Sequence, residues 1–310
     1  MSRGPDRWRV YLALLLASAL WGSLYAAAKP AVNATGPFQV TLCRVGLAFL
    51  FLTPIVLARQ GPSVFVDLLR RHWRGMLLLG LLNFALSQVL ALSALDFLPA
   101  SVVGLLNNTH PLWVALGTAA LFRARSPWLL LGGSLVALAG VVLVFLPGLA
   151  LENLSGTGIA LALAGSGVIA LGTVIGRRVM PGNDPLAVSA LATGMAIVPV
   201  ALLTFTSRGL QPIVDASADV KLLLVYVGIG CTAINFVLWY YGLKYLSAAA
   251  ASAFQYLIPP VAVAIAVVFL GEQLSTTLVL GTVCIVVGLV TTQLASIPRA
   301  RLRHAARGAR

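Results

Sequence analysis

Long apolar runs separated by short polar breaks divide the sequence from end to end. Each run has the length that an α-helix needs to cross a bilayer, which is about 20 residues. The runs comprise residues 10–29, 37–58, 75–96, 99–122, 127–147, 156–176, 185–206, 220–243, 247–270 and 274–296. Breaks such as 33–37 and 181–185 carry Gly, Pro and Asn, which favour turns. The pattern predicts an all-α polytopic membrane protein with ten transmembrane helices.

The amino-acid composition excludes the soluble and disordered classes of protein. Hydrophobic residues make up 60% of the 310 residues and charged residues only 9%, whereas soluble domains carry about 25% charged residues. A chain this apolar also cannot remain solvated as a disordered polymer. The ten spans leave short connections, so we expect no separate catalytic or nucleotide-binding domain. The first apolar run is long enough to span and is expected to be retained, not cleaved as a signal peptide.

Basic residues are distributed very unevenly between alternate connections. If the N-terminus is cytoplasmic, seventeen of the 21 Lys and Arg residues lie in cytoplasmic segments, and only Lys29, Arg208 and Lys221 lie on the other side. Basic residues are retained on the cytoplasmic side, so both termini are predicted to be cytoplasmic in a multi-pass protein of the plasma (cell inner) membrane. This placement also explains the net charge of +13 without a nucleic-acid partner.

An internal repeat appears when the sequence is shifted by 148 residues. The shift places Gly80 on Gly228, Pro111 on Pro259, Gly133 on Gly281 and Gly140 on Gly288. It predicts a first five-helix repeat over 1–148, a second over 149–296, and a basic cytoplasmic tail over 297–310. Because five is odd, the second repeat enters the membrane inverted. Inverted repeats are typical of alternating-access transporters, whose site lies at the repeat interface near mid-membrane.

Polar and aromatic residues recur within the spans at helical spacing, and one such position precedes a proline in both halves. Asn107 corresponds to Gln255 under the shift, and His110 to Ile258. Polar groups are costly in lipid and should face the interior, so we expect one central cavity. The candidate substrate-binding residues are Trp21, Tyr25, Arg44, Asn83, Asn107, His110, Asn235, Trp239, Gln255 and Tyr256. Taken singly, each also has a structural interpretation as an interhelical hydrogen bonder, a packed aromatic or a snorkelling cation.

Motifs for enzymatic chemistry are missing from the sequence. It contains no GxxxxGK[ST], HExxH or GxSxG pattern, and its three cysteines have neither metal-like nor paired spacing. None of the eight acidic residues falls at the centre of a span, so a catalytic carboxylate pair is not available. We therefore expect no enzyme, no cofactor, no metal site and no disulfide framework.

Several stretches carry a family resemblance. They are residues 19–23 around Trp21, Lys29-Pro30, Arg44, and above all 242–288 with its Pro259-Pro260 and Gly271-Glu272 pairs. On these residues the chain resembles the EamA-type ten-helix permeases of the drug/metabolite transporter superfamily, with two EamA-like repeats. The first repeat departs from the pattern, because Arg123-Ala124-Arg125 stands where Gly271-Glu272-Gln273 stands in the second. The resemblance implies inner-membrane transport of small metabolites, frequently amino-acid export.

The function expected from these observations is secondary transport. The protein would move, and by the resemblance export, a small metabolite such as an amino acid or amphipathic compound by alternating access through a central cavity. The alternatives are a membrane-embedded enzyme acting on a lipid-linked substrate and a passive channel. The expected partners are a small-molecule substrate and the bilayer, and a monomer is compatible with the sequence. Proton coupling would require His110, the one deep side chain that titrates near neutrality; otherwise the protein is a uniporter.

Overall fold

The computed structural model describes residues 7–110, 113, 127–145, 155–179, 182–245, 254–271 and 273–296, which form helices and no β-strand. One helix lies within each of the ten predicted apolar segments. They are α1 (Arg7–Thr35), α2 (Pro37–Gln60), α3 (Ser63–Asp96), α4 (Ala100–Asn107), α5 (Pro127–Phe145), α6 (Gly156–Val179), α7 (Pro185–Thr206), α8 (218–245), α9 (Ile258–Leu270) and α10 (Thr276–Ser296). A 3₁₀ turn, Phe254–Leu257, precedes α9. The predicted all-α class is confirmed for the described residues.

Five of the described helices are long and apolar enough to cross a membrane. They are α1 from Trp8, α2, α3, α7 and the Ala218–Trp239 part of α8. Shorter apolar helices cover Gly156–Gly172, Pro260–Leu270 and Thr276–Gly288. The predicted spans 99–122 and 247–270 extend onto residues outside the described ranges. A multi-pass membrane protein follows from these helices, whereas the count of ten crossings stays a prediction.

Two helices extend beyond their apolar runs. α1 continues through Pro30 to Thr35, because a proline removes only one backbone hydrogen bond and its neighbours maintain the helix. It ends at Gly36, whose φ of 103° permits a sharp turn into α2. α3 begins at Ser63, not at 75, and it is kinked at His72, whose φ of −137° and ψ of 24° are not helical. The segment before the kink is amphipathic, with Leu68 buried and Arg70 and Arg71 exposed. Such a segment lacks the continuous apolar run that marks a span.

A π-helical turn interrupts both α3 and α8. The turns cover Gly80–Leu86 and Tyr226–Ile234, and the 148-residue shift places the first within the second. Each is packed tightly against a helix of the other half. A Cβ at Gly80 would lie 2.7 Å from the Cβ of Met195 in α7, and one at Gly228 would lie 2.9 Å from the Cβ of Leu47 in α2. Leu47 and Met195 are themselves 148 residues apart, so the two contacts are equivalent.

The main chains of α5 and α10 are in direct contact where the two helices cross. The crossing lies at Gly133 and Gly140 of α5 and at their counterparts in the repeat, Gly281 and Gly288 of α10. A Cβ at Gly140 would lie 2.7 Å from the carbonyl oxygen of Gly281, and one at Gly288 would lie 2.5 Å from that of Gly133. Later residues of α5 therefore meet earlier residues of α10, which makes the pair antiparallel. Exchanging the two halves exchanges the two contacts, as a two-fold axis through the crossing requires.

Lys29 connects α1 to the end of α3. Its ammonium donates to the main-chain carbonyl of Leu98 at 3.2 Å and to that of Leu95. The last carbonyls of a helix have no partner within the helix and carry the negative end of its dipole. Lys29 therefore stabilises the C-terminal end of α3 and is not a free charge facing the cavity.

Candidate functional site

One cavity of about 240 Å³ lies between helices of both halves. It is lined from the first half by α1, α2, α3, α4 and the turn after α4, and from the second half by α6, α8 and α9. The lining residues are Trp21, Leu24, Tyr25, Arg44, Asn83, Phe84, Gln88, Asn107, Asn108, His110, Ile169, Phe236 and Ile258. The volume lies just below the range typical of ligand sites, about 300–1,000 Å³, and suits a small metabolite.

Six of the ten sequence-predicted residues line this cavity. They are Trp21, Tyr25, Arg44, Asn83, Asn107 and His110. Tyr25 is 3% exposed and lies within hydrogen-bonding reach of Asn107. The His110 ring hydrogen-bonds to the main-chain carbonyl of Asn107, one turn earlier. The structure brings these side chains together, and their role in binding a substrate stays a prediction.

The other four predicted residues are placed differently. Asn235 is fully buried, and its amide nitrogen donates to the carbonyl of Ala17 at 3.0 Å. Trp239 packs behind the cavity, with its ring centre 5.4 Å from that of Trp21. Gln255 and Tyr256 belong to the 3₁₀ turn before α9, and their side chains lie outside the described part of the structure.

Arg44 is held by neutral side chains from two helices. The residue is 7% exposed. Its Nε donates to the Thr232 hydroxyl at 2.8 Å, and its Nη1 donates to the amide oxygen of Gln88. Gln88 in turn donates to the Asn83 carbonyl at 3.1 Å, and Thr232 donates to the Val227 carbonyl at 3.0 Å. Both partners are therefore positioned by π-turn carbonyls. In the described part of the chain, Arg44 forms no ion pair.

An aromatic wall, formed by Trp21, Phe84 and Phe236, also lines the cavity. The ring centre of Phe236 lies 6.2 Å from that of Trp21 in an edge-to-face arrangement and 5.7 Å from that of Phe84. An edge-to-face arrangement is favourable because the positive edge of one ring meets the negative face of the other. The cavity thus combines apolar surface with a buried cation, which suits an amphipathic ligand.

Two lining asparagines carry buried acceptors without a donor. Among the described residues, the side-chain oxygens of Asn83 and Asn107 have no hydrogen-bond partner, and leaving such an atom unpaired costs about 1–3 kcal/mol. Both amides pack against glycines of α6. A Cβ at Gly172 would overlap the Asn83 oxygen, and one at Gly165 would lie 3.5 Å from the Asn107 oxygen. The glycines make room for the amides, which remain able to accept a hydrogen bond from a ligand.

Sequence spacing missed Gln88 and Phe236 for the same physical reason. In an α-helix, Asn83 shares its face with Ser87, four residues on. The π-turn adds a residue to that turn, so Gln88 lies on the cavity face, while Ser87 is fully buried and bonds the Asn83 carbonyl. The second π-turn likewise turns Phe236, and not Asn235, toward the cavity. Leu24, Phe84, Asn108 and Ile169 carry no distinguishing signal in the sequence, and Ile258 was identified only as the counterpart of His110.

The polar groups of the lining determine what the cavity can bind. Within the described ranges, no group of three or more His, Cys, Asp or Glu side chains is placed to hold a metal ion. Among the lining residues Arg44 carries the fixed charge, and the polar remainder are amides, a phenol and an imidazole. This set can bind and orient a small molecule.

Comparison with known proteins agrees with this picture. The model of the EamA-like transporter family matches residues 8–146 and 156–293, two segments that begin 148 residues apart. A probable terminal-alkyne amino-acid exporter of Streptantibioticus cattleyicolor is 28% identical over 84% of this chain and 85% of that protein. A probable amino-acid metabolite efflux pump of Salmonella typhimurium is 25% identical over 90% of this chain and 92% of that protein.

A solved crystal structure shares the fold. It superposes with a TM-score of 0.66 at 24% identity and covers 94% of this chain and 98% of its own. At this identity the match concerns the arrangement of helices and carries no information on ligands. The family model matches both halves of the chain, and the described residues form the helices that such repeats require. The chain therefore belongs to the EamA-like transporter family and is built from two EamA-like repeats.

Proposed function

We propose that the protein is a secondary transporter that exports a small metabolite, such as an amino acid or another amphipathic compound, by alternating access through the central cavity. The observation that carries this proposal is the cavity itself, which combines a buried cation, unpaired amide oxygens and an aromatic wall in about 240 Å³. A site with both an apolar and a charged side suits a ligand with the same two characters. The names of the Streptantibioticus and Salmonella relatives agree with amino-acid export.

The alternating-access part of the proposal depends on two inverted repeats, at 1–148 and 149–296. The antiparallel crossing of α5 and α10 supports inversion, since these helices occupy equivalent places in the two halves. The equivalent π-turns of α3 and α8 support the 148-residue register. The cavity is lined from both halves, so a movement of one half against the other would open it to alternate sides of the membrane.

The proposed topology has ten crossings in the cell inner membrane, with both termini in the cytoplasm. It is supported by the concentration of basic residues in the alternate segments that would face the cytoplasm. Reporter fusions should place the loops around Arg71 and Arg178 inside. A single cysteine introduced beside Glu152 should react with an impermeant thiol reagent from outside. Labelling of that cysteine only after permeabilisation would mean that the span count is wrong by one.

The proposed binding residues are the six predicted residues that line the cavity, together with Gln88 and the predicted Gln255 and Tyr256. Asn235 and Trp239, which were also predicted, are proposed to support them by packing. Purified protein in proteoliposomes should take up labelled amino acids by counterflow. Asn107→Leu should abolish this flux without loss of folded protein, because it removes the buried acceptor and its contact with Tyr25. Asn33→Leu is the matched control, since Asn33 is exposed on α1 and away from the cavity. Gln255→Leu should behave like Asn107→Leu, its counterpart in the repeat. Full flux in both cavity variants would remove these residues from the site.

A further inference from the structure

The Arg44 guanidinium is a buried charge whose partners are all neutral. An arginine remains protonated at any accessible pH, and burying a charge without a counter-ion is costly. The described acidic residues, Asp67, Asp96, Asp184, Asp215 and Asp219, lie at helix ends or in connections. Within the described ranges, the Thr232 hydroxyl and the Gln88 amide oxygen account for the hydrogen bonds of Arg44. Among the described residues, therefore, Arg44 has no counter-ion.

We infer that the substrate supplies this counter-ion: the protein carries compounds with a carboxylate, and that carboxylate binds the Arg44 guanidinium. The inference rests on the proposed transport function and names the chemical class of its substrate.

The geometry of the guanidinium leaves room for such a ligand. Arginine has five N–H donors, of which one on Nε is taken by Thr232 and one on Nη1 by Gln88. Three donors remain, one on Nη1 and two on Nη2, and charged N–H donors of this kind form strong hydrogen bonds to a carboxylate. Thr232 and Gln88 act as positioning residues, because each accepts from the guanidinium and is itself bonded to a π-turn carbonyl. The charge is thus oriented before the substrate arrives.

The rest of the cavity limits which carboxylates fit. Its aromatic wall of Trp21, Phe84 and Phe236 favours an apolar substituent. The unpaired oxygens of Asn83 and Asn107 can accept from an ammonium or amide group. A zwitterion with an apolar side chain satisfies all three features. An amine without a carboxylate would instead place a second positive charge in the cavity with Arg44.

A substrate pair that differs only in the carboxylate tests the inference. The probes are labelled L-amino acids with apolar side chains and their α-carboxamides, assayed by counterflow in proteoliposomes. Wild-type protein should prefer each acid over its amide by about 10- to 100-fold, the value of a hydrogen bond to a charged group. Equal transport of acids and amides would overturn the inference and leave the transport function intact. No flux of any probe would contradict the proposed function itself.

Two substitutions at Gln88 test whether Arg44 is the group that makes the protein prefer acids over amides. Gln88→Glu keeps the shape of the side chain and supplies a fixed carboxylate to Nη1, so it should compete with the substrate. We expect acid flux to fall at least about tenfold. The melting temperature should change little, because the ion pair with Arg44 offsets the lost hydrogen bond to the Asn83 carbonyl. Gln88→Met, the matched variant, supplies no charge and should keep the preference for acids over amides, whatever its rate.

Arg44→Gln should abolish the acid preference. If this variant fails to fold, Gln88→Glu still decides the question, since it keeps the arginine. A Gln88→Glu protein that carries acids at the wild-type rate would refute the assignment of Arg44 as the carboxylate site.

Discussion

Replacing Gly288 by alanine tests the helix crossing that joins the two halves of the protein. The new Cβ would lie 2.5 Å from the carbonyl oxygen of Gly133, whereas ordinary contact begins at 3.4 Å. This oxygen belongs to the main chain and cannot rotate away. α5 and α10 must therefore separate by about 0.9 Å at this point. Gly140→Ala makes the reciprocal change, with its Cβ 2.7 Å from the carbonyl oxygen of Gly281.

The loss of stability is measured relative to Gly132→Ala, a substitution at another glycine of α5. Gly132 is exposed, and a Cβ built on it meets nothing within 4 Å. Gly132→Ala therefore gains the helix propensity of alanine, about 1 kcal/mol, without overpacking. Gly140→Ala and Gly288→Ala receive the same gain and lose about 1–3 kcal/mol to overpacking. Each should melt about 2–12 °C below Gly132→Ala, at about 2–4 °C per kcal/mol.

The assay is thermal unfolding of the three variants in one detergent, followed by tryptophan fluorescence and by the monodisperse fraction. The double variant of Gly140 and Gly288 should lose less than the sum of the single losses, because one separation of the helices relieves both contacts. If Gly140→Ala and Gly288→Ala have the same melting temperature as Gly132→Ala, the helices do not cross at these glycines.

Three further substitutions test individual contacts. Gly172→Ala should lower transport several-fold with little change in stability, because its Cβ must displace the flexible Asn83 amide. Gly167→Ala is the control and should transport normally, since its Cβ meets nothing within 4 Å. Equal transport rates of the two variants would contradict this account. Lys29→Met should lower the free energy of unfolding by about 1–3 kcal/mol, since it removes the donor to two carbonyls at the end of α3; an unchanged melting temperature would refute that role. His110→Gln should retain flux in liposomes without a pH gradient, as expected of a uniporter, whereas pH-driven accumulation that is lost in this variant would establish proton coupling.

The positions of the helices could be predicted from the sequence because a bilayer imposes a length and an apolar character on each span. The same logic placed Trp21 and Tyr25 correctly on one face of α1, where the helix is regular and residues four apart share a side. It also identified the aligned glycines, whose contacts across α5 and α10 explain why no larger residue stands there. These features follow from local periodicity or from composition.

The rest of the cavity depends on features that periodicity does not contain. A π-turn changes the number of residues in a helical turn, so every position after it moves to a new face, as Gln88 and Phe236 do. The hydrogen bond from Arg44 to Thr232 joins residues 188 positions apart. Only the packing of α2 against α8 brings them together. Spacing within one helix therefore fails for the lining residues that follow a π-turn.

The reciprocal contact between α5 and α10 is the kind that two copies of one chain make with each other. Gly140 contacts Gly281, and its counterpart Gly288 contacts Gly133. Each half therefore contributes the same surface to the contact. A half-length protein with such a helix could form a homodimer only by inserting into the membrane in both orientations. In the proposed inverted arrangement, one polypeptide that carries both halves supplies both orientations in a fixed one-to-one ratio. The two surfaces of the cavity are then free to diverge, as the counterparts His110 and Ile258 do.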